Sequence, residues 1–386
     1  MMFLSNDFGI IDVEKTAIVT AVAIDIEDDG NYQVNLQIAV PEATDSNTEN
    51  QKALLSGKGK TIGGAIKDIG NVSGWFPKLS FCNLIILGNS FKDQNLIETL
   101  DYFAKTLRIQ DSAVIVVAED KAKDAIDTAS PLDNISSFAI QKILLKDAGL
   151  DRDIMINDIR SFSVGYYSRN SSSYLPILKT LSLDDNGKSE GQSSGGGGQD
   201  SGGQSQSDQN FGNKGQTLYD LTTTALFYKG KYVERLSKEE TFTFNMLKGN
   251  VNESLLHLEN VDGEGTNYLL SILRNTPKMT LDTKGEKLKI NVNLDVYCKI
   301  SDVKKDGTGP TYATNTTLPS QVKAFAEKTV ENRIRVLFEK QKSSKCDFLG
   351  LDDVLYKYHH KNYDKFKWAT TSDFDLNVKV SFTSQK

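Results

Sequence analysis

The sequence predicts an α+β fold in more than one domain. Strands with apolar residues at every second position occur in pairs, amphipathic helices follow them, and the same alternation resumes after a polar segment in mid-chain. At 386 residues the chain is long enough for two or three domains that each bury a core. With 38% hydrophobic and 25% charged residues, the composition is that of a soluble globular protein. The net charge of -6 does not predict nucleic-acid binding, which usually needs a dense basic face.

The N-terminal part predicts a mixed sheet with helices. AIVTAVAIDI and NYQVNLQIAV form a hairpin around EDDGN, and the second strand places alternate apolar residues on one face, namely Tyr32, Val34, Leu36, Ile38 and Val40. LSFCNLIILG and SAVIVVAED are typical of buried strands. DQNLIETLDYFAKTL predicts a helix whose apolar stripe is Leu96, Leu100, Phe103 and Leu107. ISSFAIQKILLKDAG predicts a second helix, with Gly149 placed to end it.

The clearest boundary is the Gly/Ser-rich segment at 184–215, whose one apolar side chain is Phe211. Such a segment buries too little apolar surface to offset the entropy of ordering it. We therefore predict a disordered linker at 186–214, which joins two folded parts or enlarges a loop between strands that still pack together.

Beyond the linker the α+β pattern resumes. TTTALFYKGKYVERL predicts a hairpin, and the helix after it has a capping box formed by Ser237 and Glu240, with Gly249 at its end. GEKLKINVNLDVYCKISDV predicts a long strand. The longest helix has Pro319 at its entry and carries most of its apolar residues on one side: Val322, Phe325, Val330, Ile334, Leu337 and Phe338. The chain closes with a strand that alternates Phe374, Leu376, Val378, Val380 and Phe382.

The segment LSGKGKTIGGA at 54–64 is the first candidate for phosphate or nucleotide binding. A phosphate-binding loop of the G-x-x-x-x-G-K-[ST] type needs a first glycine where this chain has Leu54, and here a polar run rather than a buried strand precedes the loop. The alternative interpretation is that the segment begins an amphipathic helix. Thr61 is then the N-cap, and Ile62, Ile66 and Ile69 face the core.

Other candidate chemistry is sparse. Cys82, Cys298 and Cys346 are far apart and predict neither a disulfide framework nor a zinc site, and Cys82 is interpreted as a small buried hydrophobe. His359 and His360 with Asp352 and Asp353 lack metal-ligand spacing, and His257 stands alone. We therefore predict no enzymatic activity, and we assign no catalytic, cofactor-binding, metal-binding or other binding residue.

The stretch YKYHHKNYDKFKW at 356–368 interleaves aromatic and basic residues. This pattern suits single-stranded nucleic acid or an anionic membrane surface, but it also suits a helix end and loop whose rings cover a sheet edge, which is the interpretation we favour. No segment approaches the roughly 20 apolar residues needed to cross a bilayer. The opening MMFLSNDFG is too short for a signal peptide, so the literal sequence predicts a cytosolic protein.

Taken together, these segments resemble the Ger(x)C spore germination proteins, the C subunits of nutrient germinant receptors. DVEKTAIVTAVAID, QIAVP and GKTIGGAI are similar to the family's opening strand and helix start. LSFCNLIILGNSF and LIETLDYFAKTLRIQDSAVIVVAEDKA are similar to its next strands and helix, and TALFYKGKYVERLSKEETFTFNMLKG to its central element. EKQKSSKCDFLGLDDVLYKYHHKNYDKFKW with VKVSF is similar to its C-terminal part. Their shared order along the chain makes a chance resemblance improbable.

The resemblance implies three domains, each a mixed sheet flanked by helices, which we place at 1–185, 215–278 and 279–386. It also implies a non-enzymatic scaffold that binds no cofactor and acts at the outer face of the spore inner membrane with an A-type and a multi-spanning B-type subunit. Two alternatives remain: a phosphate- or nucleotide-binding enzyme that uses 57–61, or an exported envelope-binding protein of another system.

The sequence departs from the family pattern in several places. Family members carry a signal peptide and a lipid-anchor cysteine, whereas this chain has Ser5 before NDFGIIDVEK and no cysteine until Cys82, so truncation is the simplest explanation. Asn83 stands where the family commonly has His, Lys105 and Thr106 where it has an Arg-Asp pair, and Gly64 where Glu is usual. These differences are expected if the protein serves a diverged receptor, and none of the positions is assigned as a site.

Overall fold

The structure is a computed structural model. It describes residues 16–39, 52–106, 109–128, 130–131, 133, 135–144, 153–182, 217–251, 253–305 and 317–384. The predicted linker at 186–214 and the predicted roles of Val40, Leu107 and Gly149 lie outside these residues.

Nine strands form the first sheet, in the order β3-β2-β1-β5-β6-β7-β8-β9, with β4 paired to the start of β1. Strands β1, β5, β6 and β7 are parallel to one another, and antiparallel strands extend the sheet on both sides. The strand bounds are β1 Thr16–Ile26, β2 Tyr32–Ala39, β3 Lys52–Gly59, β4 Phe76–Lys78, β5 Leu84–Leu87, β6 Val114–Ala118, β7 Ser172–Ser182, β8 Thr217–Tyr228 and β9 Lys231–Leu236.

Helices cover both faces of this sheet. Successive residues of a strand point to opposite sides, so each face has its own set of buried side chains. Val22 and Ile24 of β1 pack with α1, α2 and α5, whereas Ala21 and Ala23 pack with α3 and α4. The helix bounds are α1 Ile62–Ser73, α2 Leu96–Thr106, α3 Ala122–Asp127, α4 Ser136–Leu144 and α5 Ile159–Tyr167. The central strands β5 and β6 are therefore buried on both faces, as their continuous apolar sequences predict.

The second sheet has four strands in the order β10-β11-β12-β13, with β12 and β13 parallel. Its core joins apolar residues of the sheet to those of the long helix α7 and reaches Leu226 and Leu236 at the end of the first sheet. The bounds are β10 Ser254–Leu258, β11 Thr266–Asp282, β12 Leu288–Lys305, β13 Phe374–Ser384, α6 Lys238–Lys248, α7 Ser320–Ser344, α8 Leu351–Tyr358 and α9 Tyr363–Phe366.

Most of the locally encoded predictions are confirmed. The β1–β2 and β8–β9 hairpins form as expected, and α7 follows its N-cap residue Pro319 directly and buries most of its apolar stripe. Helix α6 has both hydrogen bonds of the Ser237 capping box, and Gly249 ends it at φ 73° in the left-handed region, where glycine is favoured. The α+β class follows from these elements.

One expectation about the glycine-rich segment was wrong. We placed only a polar run before it, but β3 runs from Lys52 to Gly59 and pairs along its whole length with β2.

The predicted domain limits stay a prediction. Strands β8 and β9 pair within the first sheet, and β11 runs across residue 278. In the described part of the chain, no helix has both the length and the apolar character needed to cross a membrane.

Candidate functional site at the junction of the two sheets

A turn between α5 and β7 meets the segment that follows α7, and polar side chains from both sides come together there. Asn170 Nδ2 donates to Asp347 Oδ2 at 3.2 Å, and the Asp347 backbone N–H donates to Ser172 Oγ at 3.0 Å. Ser171 adopts φ 47°, a left-handed conformation that is uncommon for a residue with a side chain. These contacts connect the end of the first sheet to the C-terminal part of the chain.

The Asp347 carboxylate is the centre of this junction. It is buried, and its Oδ1 accepts hydrogen bonds from Gln341 Nε2 at 3.0 Å and from the Leu351 N–H at 2.9 Å. Its Oδ2 accepts from the Asp352 N–H at 2.7 Å as well as from Asn170. Each oxygen therefore receives two donors, which is the pattern that suits an ionised carboxylate.

Burial and hydrogen bonding act on Asp347 in opposite directions. Loss of water raises the pKa of its carboxyl group to about 7, while the hydrogen bonds from Asp352, Leu351 and Asn170 work to lower it. Gly350 makes the backbone geometry possible: it adopts φ 75° and turns the chain so that the first N–H groups of α8 point back at Asp347.

An arginine held between tyrosine rings completes the junction. Arg169 Cζ lies 3.5 Å from the ring centroid of Tyr356 and 5.8 Å from that of Tyr363, and the two rings meet edge to face at 5.2 Å. The Tyr363 hydroxyl donates to Asp352 Oδ2 at 3.1 Å. Burial raises the pKa of Asp352, while Tyr363 and Arg169 act to lower it. The positive charge of Arg169 is thus stabilised by ring faces and by a nearby carboxylate.

A cavity of about 100 Å³ lies among these groups, lined by Arg169, Asp347, Asp352, Tyr363 and Trp368. Ligand sites for small molecules usually enclose about 300–1,000 Å³. Because this cavity is smaller and its polar groups already bind one another, the arrangement is best suited to holding two parts of the protein in a fixed relation. We call Arg169, Asn170, Asp347, Asp352, Tyr356 and Tyr363 the junction cluster.

The aromatic and basic stretch at 356–368 contributes to this cluster rather than forming one continuous exposed surface. Tyr356 and Tyr363 contact Arg169, and Phe366 is buried in the core of the second sheet. Tyr358 and Trp368 remain exposed. The predicted helix end and loop are present as α8, α9 and short 3₁₀ turns.

The histidines are separated by their contacts. His359 Nδ1 lies 3.3 Å from Thr283 Oγ1, and the His360 ring packs edge to face on Tyr356. His257 is exposed on β10, far along the chain from the other two. Among the residues that the structure describes, no group of three or more His, Cys, Asp or Glu side chains is placed to hold a metal ion.

The glycines of the 54–64 segment have a packing role. A Cβ on Gly57 would lie 2.6 Å from Ile69 Cγ1, and a Cβ on Gly59 would lie 2.6 Å from the Ala65 backbone nitrogen. They allow α1 to lie directly on β3. Thr61 is the N-cap of α1, its Oγ1 accepting from the Gly64 N–H at 3.1 Å, as the helix interpretation predicts.

All three cysteines are buried and unpaired. Burial raises the pKa of Cys82 and Cys346 to about 12 and that of Cys298 to about 11, so each is a neutral thiol at physiological pH. The interpretation of Cys82 as a small buried hydrophobe is confirmed.

The junction cluster was not identified from the sequence. Asp347 of the cluster lies in the C-terminal segment that carries the family resemblance, together with its neighbours Gln341 and Gly350. The available signal was an Asp three residues before a Gly at the start of a helix. Arg169 and Tyr363 gave no such signal, because their contact joins positions almost 200 residues apart in sequence.

Known proteins share sequence similarity with both parts of this chain. The family described as spore germination protein N-terminal domain matches residues 9–180, and the family described as spore germination B3/GerAC like, C-terminal, matches residues 222–385. Spore germination protein KC of Bacillus subtilis (strain 168) is 22% identical over 364 residues, which cover 91% of this chain and 83% of that protein.

Two further similarities agree with these matches. Spore germination protein B3 of the same organism is 24% identical over 180 residues, and the match covers 45% of this chain but only about half, 47%, of that protein. The crystal structure of the GerBC protein superposes with a TM-score of 0.54 over 97% of this chain and 100% of that chain. At 17% identity this last likeness shows a shared fold.

The two family matches follow one another in the expected order and together span most of the chain, on either side of the predicted linker. The chain therefore belongs to the Ger(x)C family of spore germination proteins.

Proposed function

We propose that this protein is a non-enzymatic subunit of a nutrient germinant receptor and acts in spore germination as a scaffold, through contacts with other proteins. The observation that carries the proposal is the family match at 9–180 and 222–385, together with a relative named for spore germination that aligns over 91% of the chain.

The geometry of the junction cluster supports a scaffolding role. Its charged groups are engaged with one another: Asp347 accepts four hydrogen bonds, and Arg169 is stacked on Tyr356. Such a network fixes the relation between the first sheet and the C-terminal part. A rigid body of this size presents surfaces to its partners in a constant arrangement.

We further propose the partners and the location that the family resemblance implies. The partners are an A-type subunit and a multi-spanning B-type subunit, and the site of action is the outer face of the spore inner membrane. A nutrient signal then changes contacts between subunits, which requires the signal to bind one arrangement of the complex better than another.

Removal of the gene tests the function directly. Spores that lack it are expected to lose their response to the nutrients served by this receptor, measured as the fall in optical density of a spore suspension. Restoring the wild-type gene at its own locus restores the response. Unchanged germination of the deletion spores with every nutrient mixture that wild-type spores recognise would contradict the proposal.

A further inference from the structure

Two glutamates of the long helix α7 bind the backbone of the last strand, β13. The Phe382 N–H donates to Glu327 Oε1 at 3.0 Å, and the Val380 N–H donates to Glu331 Oε1 at 3.3 Å. Both glutamates are half-buried. Because strand N–H groups of this kind normally donate to the carbonyl oxygens of a neighbouring strand, the two carboxylates occupy the place of such a strand.

An arginine one turn further along α7 binds the same edge. Arg335 Nη1 donates to the Leu376 carbonyl oxygen at 3.4 Å. The three contacted residues of β13 are all at even-numbered positions, and alternate residues of a strand direct their N–H and C=O groups to the same edge. In the described part of the chain, β13 pairs with β12 alone. The three side chains of α7 therefore lie along the edge of β13 that faces away from β12.

These three side chains form one stripe of the helix. Their positions are four residues apart, and side chains at this spacing lie above one another on one helix face. We call Glu327, Glu331 and Arg335 the edge cover. Two carboxylates that accept from N–H groups and one guanidinium that donates to a carbonyl match both kinds of backbone group that an edge strand presents.

The sequence of β13 makes its edge prone to pairing. The strand Phe374–Ser384 is FDLNVKVSFTS, which is rich in Phe, Val and Leu, contains neither Pro nor Gly, and has charges that sum to zero, Asp375 and Lys379. Segments of high β-propensity and low net charge readily pair with another strand when their edge is open. A second copy of this chain carries the same edge, and a two-fold axis would place the two β13 strands antiparallel.

The edge cover is separate from the apolar core. The side chains of Val378, Val380 and Phe382 are buried in the core of the second sheet, and α7 contributes other residues to it, among them Val330 and Ile334. Shortening the side chains of the edge cover therefore exposes backbone groups of β13 without removing a core side chain.

We infer that the edge cover is an inhibitory contact that prevents β13 of one molecule from pairing with β13 of a second copy. It occupies N–H and C=O groups of the edge, so an incoming strand lacks the main-chain partners on which strand addition depends. The inference is independent of the proposed function, because it concerns only copies of this chain.

Alanine substitution of the edge cover tests the inference in the full chain. We expect Glu327→Ala/Glu331→Ala/Arg335→Ala to form dimers as its concentration rises, beyond any association of the wild type, in analytical ultracentrifugation. Hydrogen exchange of the amides at 376–382 should then be slower at high concentration than at low concentration. The matched control changes an exposed stripe of the same helix at the same spacing and should behave as the wild type: Lys328→Ala/Asn332→Ala/Val336→Ala.

A glutamine variant separates hydrogen bonding from charge. Glu327→Gln/Glu331→Gln removes both negative charges but keeps a side-chain oxygen that can accept from each N–H. We expect it to associate no more than the wild type. Association equal to that of the alanine variant would show that charge repulsion, rather than occupation of the edge, opposes pairing, and would overturn the inference.

A measurement on dilute protein decides the matter even if the triple alanine variant precipitates. In Glu331→Ala the Val380 amide loses its acceptor and should exchange about tenfold faster than in the wild type. Unchanged exchange of this amide would contradict the inference. So would a triple variant that keeps the wild-type mass at every concentration, or one that associates without slower exchange at 376–382.

Discussion

At the scale of single residues, Asp347 is the centre of the junction cluster. Four donors from three different segments meet its two oxygens, and Gly350 bends the backbone so that two of them can do so. A buried donor that loses its acceptor costs about 1–3 kcal/mol. The cluster is therefore sensitive to a single change.

Replacing Asp347 by alanine tests this role. Asp347→Ala leaves the Leu351 and Asp352 N–H groups and two side-chain amides without their acceptor, so the free energy of unfolding should fall by about 3 kcal/mol or more. Asp375→Ala removes an exposed carboxylate of β13 and should change it by less than about 0.5 kcal/mol. Urea unfolding of the two variants measures the difference; similar values would contradict the role.

The raised pKa of Asp347 predicts a pH dependence. Its folded pKa of about 7 exceeds the ordinary value of 3.8, so between these values the folded state binds more protons than the unfolded state. The contribution of this group to stability is therefore fully present below about 4 and is lost as the pH rises towards 7.

The Asp347→Asn variant has no ionisable group at this position, so comparing it with the wild type isolates the contribution of Asp347 titration to stability. The stability advantage of the wild type over the variant should widen as the pH is lowered from about 7 towards 4, because titration of all other groups cancels in the comparison. Thermal unfolding across this range measures the difference. An advantage that narrows at low pH would show that hydrogen bonding, rather than burial, dominates the pKa.

At the scale of elements, the packing of α1 on β3 depends on a close approach of the two backbones. A Cβ on Gly57 would lie within 2.6 Å of Ile69 Cγ1, so Gly57→Ala should force the helix away from the strand and lower the free energy of unfolding by about 1–3 kcal/mol. Gly285→Ala meets nothing nearer than 3.7 Å and should be close to neutral. Urea unfolding compares the two, and an equally small effect of both would contradict the packing role.

The helices and strands also differ in how well the sequence predicts them. The β1–β2 hairpin, the capped helix α6 and the long helix α7 were predicted because their turns, caps and apolar periods are local. Strand β3 was missed, since its two glycines weaken the strand pattern and its pairing with β2 is what makes it a strand. Strand β11 contains Asn275 and Pro277 and two register shifts, so its identity also depends on its partners.

The junction cluster illustrates the same limit at the candidate site. The Asp347 and Gly350 spacing was visible in the sequence, but the donor from Asn170 and the stacking of Arg169 on Tyr356 arise only when distant segments meet. Periodicity describes single elements, whereas the cluster is formed between elements. The sequence therefore predicted the class and the family segments but not the site.

At the scale of the whole molecule, two kinds of contact join the sheets. The apolar core of the second sheet reaches Leu226 and Leu236 of the first, and the junction cluster adds polar contacts between the α5–β7 turn and the C-terminal part. Together they make one continuous body on which the scaffolding proposal depends.

Loss of the stacked arginine tests this continuity. Arg169→Ala removes the contact with Tyr356 and the charge beside Asp352, and should lower the free energy of unfolding by about 1–2 kcal/mol. Arg160→Ala, at an exposed position of α5, is the matched control and should cost less than about 0.5 kcal/mol. Chemical unfolding measures both; an Arg169 effect no larger than that of Arg160 would show that the apolar core alone joins the sheets.

The central claim is that the protein works as a receptor subunit through protein contacts. Its most direct test is co-purification from detergent-solubilised spore membranes, with this protein tagged at its C-terminus and expressed from its own locus. We predict recovery of the A-type and the multi-spanning B-type subunits in amounts comparable to the tagged protein. Recovery of the protein from the soluble fraction without either subunit would contradict the claim.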